Sequence, residues 1–590
     1  MYPATIFNWH DNSAIAEENQ SVVIDDSPLF MQVFSADKGT EDLVEISGSD
    51  FDAMYGTMSF DRHGQAGIQA KNIIDAGGRL FAKRVVAKDS TLANVVLSAN
   101  LSEDNTTGGV KVKWTAESIT GCKNFAEVKE AAAKMLDADK GKYPLIIYAD
   151  NGRGVSGKSV RLTPDYATSK TIGKTFYTLA VYEGTSVKES TTISFDPTVI
   201  YASNAYRFDE YTTTQITGIV SDDIYELYVA AIADYIVDID VDTLRTYDLV
   251  YGYTNRGNAL EKFTLASDSV DLDAVTGIEL KEGSNGEFGN APVATEAWEK
   301  ALCEVFSGAF STEIYDVDQH KIAAICDANY PRTVKKEIFK LVNFRQDMVY
   351  FRDLGVGLNT FLAIKGAYNQ FSESVELENG QTFESERSCF VADYSTSYQI
   401  KDPTTHKNIE VTMMYDLAAC LVSHIANNPY APTAGTANGF ILENAIKGTV
   451  NFVPVNTPSV NQKEAMDEIK VNYAIFEDDA CVVQSCYTSQ EKYTQLSFIG
   501  NILGIQRVLR AVRTSCPKQR YSFTNGSDLQ AYATAVNNVL ANYVTNFDVL
   551  NFVYTEDKLK TSQKIFYASI EFAFANWAQT EIFDIFAINN

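Results

Sequence analysis

Positive charge is scarce in this sequence. In 590 residues, 49 Lys and Arg stand against 77 Asp and Glu, a formal charge of -28. That balance argues against a nucleic-acid surface as the main business, because phosphate contacts need Lys and Arg. No apolar run approaches the ~20 residues of a membrane helix. The opening MYPATIFNWHDN has neither a basic nor an apolar leader region, so no secretory signal and no membrane span are expected. None of the 8 cysteines forms C-x-x-C, and the 5 histidines are dispersed. No metal site and no cofactor are therefore expected, and the thiols fit buried, reduced positions. Repeats and low-complexity tracts are also missing. What is present is 45% hydrophobic residues, with Tyr and Phe prominent. That is enough for real cores, in roughly three to five domains with much β structure.

One basic stretch stands out, Leu496–Arg520 (LSFIGNILGIQRVLRAVRTSCPKQR). Ile499, Leu503, Val508 and Val512 keep a helical spacing. Arg507, Arg510 and Arg513 recur every three residues and are expected on one helix face, with Lys518 and Arg520 in the loop beyond. No Asp or Glu interrupts the run. Such a stripe is either a solvated face or a surface for an acidic partner.

Along the chain, residues 1–20 read as an arm in which Ile6, Phe7 and Trp9 are isolated apolar residues, frayed or tied to something else. A strand is expected over Leu29–Ser35, then the Lys38-Gly39 turn and a short helix from Ser49 to near Gly56. A helix over Gln65–Ala76 ends at Gly77-Gly78, and Leu80–Val86 is a strand. From about Ala93 to Ser284 the chain is rich in Thr, Tyr, Asp and Ser and reads as inserted β-rich domains, with helices near Phe125–Leu136 and Ser221–Val237.

Within that region Gly152–Ser159 (GRGVSGKS) matches both G-x-x-x-x-G-K-[ST] and G-x-G-x-x-G. A phosphate loop must open a helix, whose N–H groups meet the phosphates. Here Val160 and Leu162 alternate with polar residues and Pro164 blocks a helix, so strand–loop–strand is expected. A nucleotide site using Gly152–Ser159 with Asp327 stays as the alternative.

Further on, strand Lys321–Cys326, helix Pro331–Arg345 and strand Met348–Phe351 form a βαβ unit with parallel strands. Asp327 and Asp353 lie at the strands' carboxyl ends, where α/β enzymes place acids. They would equally cap turns or pair with Arg345 or Arg352. Asp416–Ile425 is a helix whose His424 would complement the helix dipole. After the basic helix come a helix over Leu529–Phe547 and two strands, Lys564–Phe574 and Glu581–Ile588. Such terminal strands demand pairing, within the chain or with another subunit.

In their order, Asp37-Lys38-Gly39, Tyr55-Gly56, Gly77-Gly78 and Arg84-Val85 resemble the N-terminal block of contractile-tail sheath proteins, with Thr40 where that family often has Pro. Asp327, Arg345, Asp347 and Asp353 match its "D…R.D…D" pattern. Asn428, Pro432, Ala437, Asn438 and Gly439 fill a comparable layout without its Trp. The strand CVVQSCYT before the basic helix keeps only the family's pattern. The resemblance covers roughly residues 28–90 and 296–590.

The resemblance implies an α+β or α/β multidomain fold: an α/β sheath core with the βαβ unit, β-rich inserted domains and terminal arms for inter-subunit strand exchange. The expected divisions are an arm at 1–25, core at 26–92, outer insertion at 93–284, core at 285–460, tube-facing domain at 461–575 and strand arm at 576–590. It implies a non-enzymatic subunit that stacks as hexameric rings around a bacteriophage tail tube and contracts to drive the tube through the host envelope for genome delivery. Implied partners are further copies of the chain, the tube protein, and baseplate and tail terminator proteins, without nucleic acid or membrane. Assembly would occur in the host bacterial cytoplasm and residence would be the virion tail. Arg507, Arg510, Arg513, Lys518 and Arg520 would face the tube. Ile6, Phe7, Trp9, Ile582, Phe583, Ile585, Phe586 and Ile588 would exchange between subunits. An outward glycan-binding virion surface protein is a further alternative, suggested by the Tyr- and Asn-rich insertion.

Overall fold

The protein is described from a computed structural model. The description covers residues between 29 and 574 except 49, 105–108, 166–175, 195–199, 202–203, 206–216, 238–252, 257–258, 263–277, 287–294, 310–312, 318, 373–374, 377–381, 384, 516–525 and 556–566; residues 1–28 and 575–590 are also outside it.

The core begins with β1 (Leu29–Phe34), β2 (Leu43–Ser47), α1 (Asp50–Tyr55), α2 (Phe60–Asp75) and β3 (Arg79–Arg84). All six residues of β1 are buried, as expected of a strand covered on both faces. Helix α2 breaks at Gly64 (φ 63°), so its regular part starts at Gln65, where the apolar periodicity predicts it.

The chain then leaves the core. An antiparallel sheet has the order β10-β6-β4-β5, from β4 (Asn94–Asp104), β5 (Gly109–Glu117), β6 (Lys142–Ala149) and β10 (Thr217–Ile219). A second has the order β11-β7-β8-β9, from β7 (Lys158–Pro164), β8 (Tyr177–Glu183), β9 (Ser186–Ile193) and β11 (Ile278–Glu279). With α3 (Phe125–Ala133) and α4 (Asp222–Val237) these elements bury their own apolar cluster, including Val96, Trp114, Ile147, Leu162 and Tyr228. The chain enters and leaves this outer unit side by side: Thr91 N–H donates to Ser284 O (3.0 Å) and Asn94 N–H to Lys281 O (2.9 Å).

Back in the core come α5 (Glu296–Phe306), β12 (Ala324–Cys326), α6 (Arg332–Arg345), β13 (Val349–Asp353), α7 (Phe361–Ser372), β14 (Val391–Tyr394), the hairpin β15 (Ser397–Lys401) and β16 (Asn408–Thr412), α8 (Met414–Asn427), α9 (Gln462–Glu468) and β17 (Val471–Asn472). The core sheet has the order β2-β3-β1-β12-β13-β14-β17. Every neighbouring pair is parallel except β2 with β3. The first and third blocks of the chain therefore share one sheet. Its main cluster joins Phe30, Phe34 and Ile73 to Ile325, Phe351, Leu421 and Leu503. Pro331 stands at the N-cap of α6, one residue before its first turn, and Gln346 ends it in a left-handed conformation (φ 61°).

The short hairpin β18 (Ala474–Glu477) and β19 (Ala480–Val483) precedes α10 (Ile499–Ser515) and α11 (Gly526–Ala541). The expected basic helix is thus present, over Ile499–Ser515. One expectation fails at the C-terminal side. The helix expected to reach Phe547 ends at Ala541, and residues 547–555 form a strand instead, β20 (Phe547–Thr555). It pairs antiparallel with β21 (Tyr567–Phe574). Glu581–Ile588 lies outside the described residues.

Candidate functional site

Three motifs spread over more than a hundred residues of sequence meet at the seam between core and outer unit. Arg84, at the end of β3, is buried at 1% exposure. Its Nε donates to Ala36 O (3.0 Å) and its Nη1 to Gly39 O (2.9 Å), which pins the Asp37-Lys38-Gly39 turn. The glycine-rich loop packs onto that turn. Side chains at Gly152 (φ 127°) and Gly154 (φ 130°) would begin 2.0 Å from Gly39 O and 2.2 Å from Asp37 O. Both positions combine left-handed backbone with a contact only hydrogen permits.

Charges close the seam. Arg153 donates from Nε to Glu41 Oε1 (2.9 Å) and from Nη2 to Glu41 Oε2 (2.6 Å). Lys38 pairs with Glu183 of β8. Asp37 pairs with Arg62, lies 3.2 Å from His63 Nε2, and accepts from Asn285 Nδ2 (3.1 Å). Burial pushes the Asp37 carboxyl up, but His63, Arg62 and Asn285 outweigh it and hold it below its ordinary value. Burial likewise raises Glu41, and Arg153 overcomes it. Burial draws the Arg84 guanidinium down to about 10 despite the nearby carboxylates.

Lys158 opens strand β7, as the alternation and Pro164 predict, and its ammonium pairs with buried Asp150. The loop N–H groups cap no helix, so the arrangement lacks the dipole and N–H cradle a phosphate needs.

Asp327 and Asp353 do meet, at the carboxyl ends of β12 and β13, but their partner is Lys335 of α6. Its Nζ donates to Asp327 Oδ2 (2.9 Å) and Asp353 O (2.8 Å) and also bonds Asp353 Oδ1. Tyr350 OH donates to Asp327, Thr412 Oγ1 to Asp353 Oδ2 (3.0 Å), and Asn329 N–H to Asp353 Oδ2 (2.8 Å). Gln65 donates to Thr412 Oγ1 (2.8 Å) and to Gln69 Oε1 (3.1 Å), and Gln69 donates on to Gln32. The expected partners Arg345 and Arg352 go elsewhere. Arg345 grips Asp347 and the carbonyls of Ile314 and His320. Arg352 pairs with Asp393 on β14 (2.6 Å). Burial raises Asp327 first and the charge of Asp353 second, to about 6. Burial lowers Lys335, but its two carboxylates outweigh that and leave it above its ordinary value. The shared ammonium works against the rise of Asp327 without cancelling it, and the two carboxylates hold the charge on Lys335. Every group here has a partner, which suits a rigid core rather than a reacting centre.

His424 corrects another expectation. Burial pulls its imidazole down to about 4, so it is neutral and cannot complement the dipole of α8 as a cation. It packs edge-on against Phe440 (4.8 Å) instead.

On α10, Ile505, Val508 and Ala511 face a small cluster shared with α11, β20 and β21. Arg510 Nη1 donates to Asp347 O (3.4 Å), and Arg513 Nη1 stands 3.7 Å from Asp347 Oδ2. Two of the three arginines thus lean toward an acid of this same chain, at the turn after α6. Arg507 is half-buried and Arg513 exposed. Lys518 and Arg520 lie outside the described residues, as do Ile6, Phe7, Trp9, Ile582, Phe583, Ile585, Phe586 and Ile588.

In the β20–β21 hairpin, Phe547, Leu550 and Phe552 face that cluster while Val549 (40%) and Val553 (38%) are exposed. Neither strand has a second neighbour among the described residues. No described helix is long and apolar enough to cross a membrane.

The described core is a largely parallel sheet that carries an antiparallel outer unit. The solved sheath tail protein Lin1278 from Listeria innocua aligns over 93% of this chain and 92% of its own, with TM-score 0.50 at 8% identity. The chain therefore has the fold of a tail sheath protein. The sheath tail protein DSY3957 from Desulfitobacterium hafniense aligns over 94% of both chains (TM-score 0.44, 9% identity). The sheath of an extracellular contractile injection system, in its contracted state, aligns over 45% of this chain and 70% of its own (TM-score 0.34, 12% identity). No protein-family model and no curated protein matches the sequence.

Proposed function

We propose that the chain is the structural, non-enzymatic subunit of a contractile sheath. It stacks as hexameric rings around a tail tube, and contraction drives the tube through a host envelope. The observation that carries this reading is the fold shared with a sheath tail protein along nearly the whole of both chains. A subunit whose interface does not close on itself builds a helical polymer. The β20–β21 hairpin offers main-chain edges for strand addition, and the arms around Ile6, Phe7 and Trp9 and around Ile582–Ile588 are the strands we assign to neighbouring subunits. Contraction would release a kinetically trapped arrangement and needs no nucleotide.

Arg507, Arg510 and Arg513, with Lys518 and Arg520, would meet acidic groups on the tube. Arg510 must then trade a 3.4 Å hydrogen bond to Asp347 O, and Arg513 a 3.7 Å approach to its carboxylate, for external contacts, a small exchange because both are long. Six-fold rings would multiply that term and leave it reversible. Baseplate and terminator proteins would cap the stack, in a virion tail assembled in a bacterial cytoplasm or in a headless relative.

Negative-stain electron microscopy tests the reading, on the purified chain over a range of salt and concentration and again after co-expression with a tube protein. Hollow tubes or stacked six-fold rings are expected. Dispersed monomers under both conditions, or saturable nucleotide binding lost in Lys158→Ala, would overturn it.

A further inference from the structure

The seam between core and outer unit contains a small cavity lined by Ser35, Arg62, His63, Arg84, Val85 and Asn285 among others. The space open to a water centre is about 10 Å³, close to what one water molecule needs. Four polar atoms of its lining residues are buried without a hydrogen-bond partner among the described residues: Ser35 Oγ, His63 Nε2, Arg84 Nη2 and Asn285 Oδ1. His63 Nε2 faces the Asp37 carboxylate at 3.2 Å, while His63 Nδ1 accepts from Ser59 N–H. Buried polar groups in folded proteins are nearly always paired, with protein or with ordered water. The three orphans with no charged partner of their own, around one cavity of this size, point to an occupant.

The chemistry of the orphans selects it. Arg84 Nη2 can only donate and Asn285 Oδ1 can only accept. The two atoms are near neighbours, 2.6 and 2.7 Å from the point where a side chain on Gly154 would begin. The Asn285 amide cannot turn over, because its Nδ2 donates to Asp37 Oδ1 (3.1 Å) and a flip would set oxygen against carboxylate. A halide or phosphate would satisfy Arg84 but face the Asn285 oxygen. A cation would face the guanidinium groups of Arg84 and Arg62. We infer that the cavity is a binding site for one resident water molecule, which accepts from Arg84 Nη2, donates to Asn285 Oδ1 and takes the Ser35 hydroxyl as its third partner. Ser35 and Arg84 follow or end core strands, whereas Asn285 lies on the exit leg of the outer unit. The water is thus a structural link between the two units.

Crystal structures of the full chain, at a resolution that shows ordered solvent, test this with and without a bromide soak. One solvent peak within hydrogen-bond distance of Arg84 Nη2 and Asn285 Oδ1 is expected, with no anomalous bromide signal. A bromide peak there would make it an anion site and overturn the inference. So would an empty cavity, or a direct Arg84–Asn285 hydrogen bond.

Discussion

Arg153 holds both carboxylate oxygens of Glu41, and the pair joins the glycine-rich loop of the outer unit to the turn that Arg84 pins in the core. A loop with the spelling of a nucleotide site serves here as an internal joint.

The joint depends on two missing side chains. Gly154→Ala places a methyl 2.2 Å from Asp37 O in left-handed backbone, and should cost about 2–4 kcal/mol. Gly157→Ala meets nothing within 4 Å and should be nearly neutral. Thermal melts of the two variants compare them directly; equal stability would contradict the packing described for the seam.

Lys335 sets one ammonium between Asp327 and Asp353, the only one there among the described residues. Lys335→Met strands two carboxylates in the core and should cost about 3–5 kcal/mol, measured by urea unfolding. A loss below about 1 kcal/mol would mean that the network is solvated.

Asp327 gives a pH signature. Its folded value, about 6, lies above the ordinary carboxylate value, so the folded state binds more protons than the unfolded state between about pH 4 and 6. Its contribution therefore grows as pH falls from 7.5 to 5, on the order of 1–2 kcal/mol. Asp327→Asn should lose that gain, seen as a flatter dependence of melting temperature on pH. An unchanged slope would contradict the assignment.

Asp37 and Glu41 run the other way. Both are held below their ordinary values, so their stabilisation is complete above the unfolded-state values and is lost as pH falls through the folded ones. Hydrogen exchange below about pH 4 should show the seam opening before the core sheet. Simultaneous opening would argue against an independent joint.

Val549→Lys with Val553→Lys changes only the exposed face of β20 and should leave the monomer within about 0.5 kcal/mol of the parent. Tube or ring formation should fall sharply, read by sedimentation. Normal polymers would remove this hairpin from the subunit interface.

The parallel βαβ unit, the buried β1 and the regular half of α2 could be read from apolar spacing. So could the fate of Gly152–Ser159, because Val160, Leu162 and Pro164 speak for a strand. The partners of the core acids could not. Asp327 and Asp353 lie 8 and 18 residues from Lys335, and only the crossover from strand to helix sets that ammonium between them. Arg352 neighbours Asp353 in sequence but points to the opposite face of β13 and finds Asp393. Strand β20 escaped for a local reason. A bulge between Phe547 and Val549 slips the alternation by one, so Phe547, Leu550 and Phe552 share a face without a period of two. The seam joins positions such as Gly39 and Gly152 that nothing in the linear order connects.

The order of strands in the core sheet also sets a timetable for synthesis. β1 sits between β3 and β12, and β12 follows it by about 290 residues. At about 5–20 residues per second a ribosome takes roughly 15–60 s to cover that distance. Throughout that interval one flank of β1, with its row of apolar side chains, is exposed on the nascent chain, while the whole outer unit emerges and can fold. Chaperone demand should therefore concentrate on the first ninety residues, and a stall before β12 would release a chain with a finished exterior and half a core.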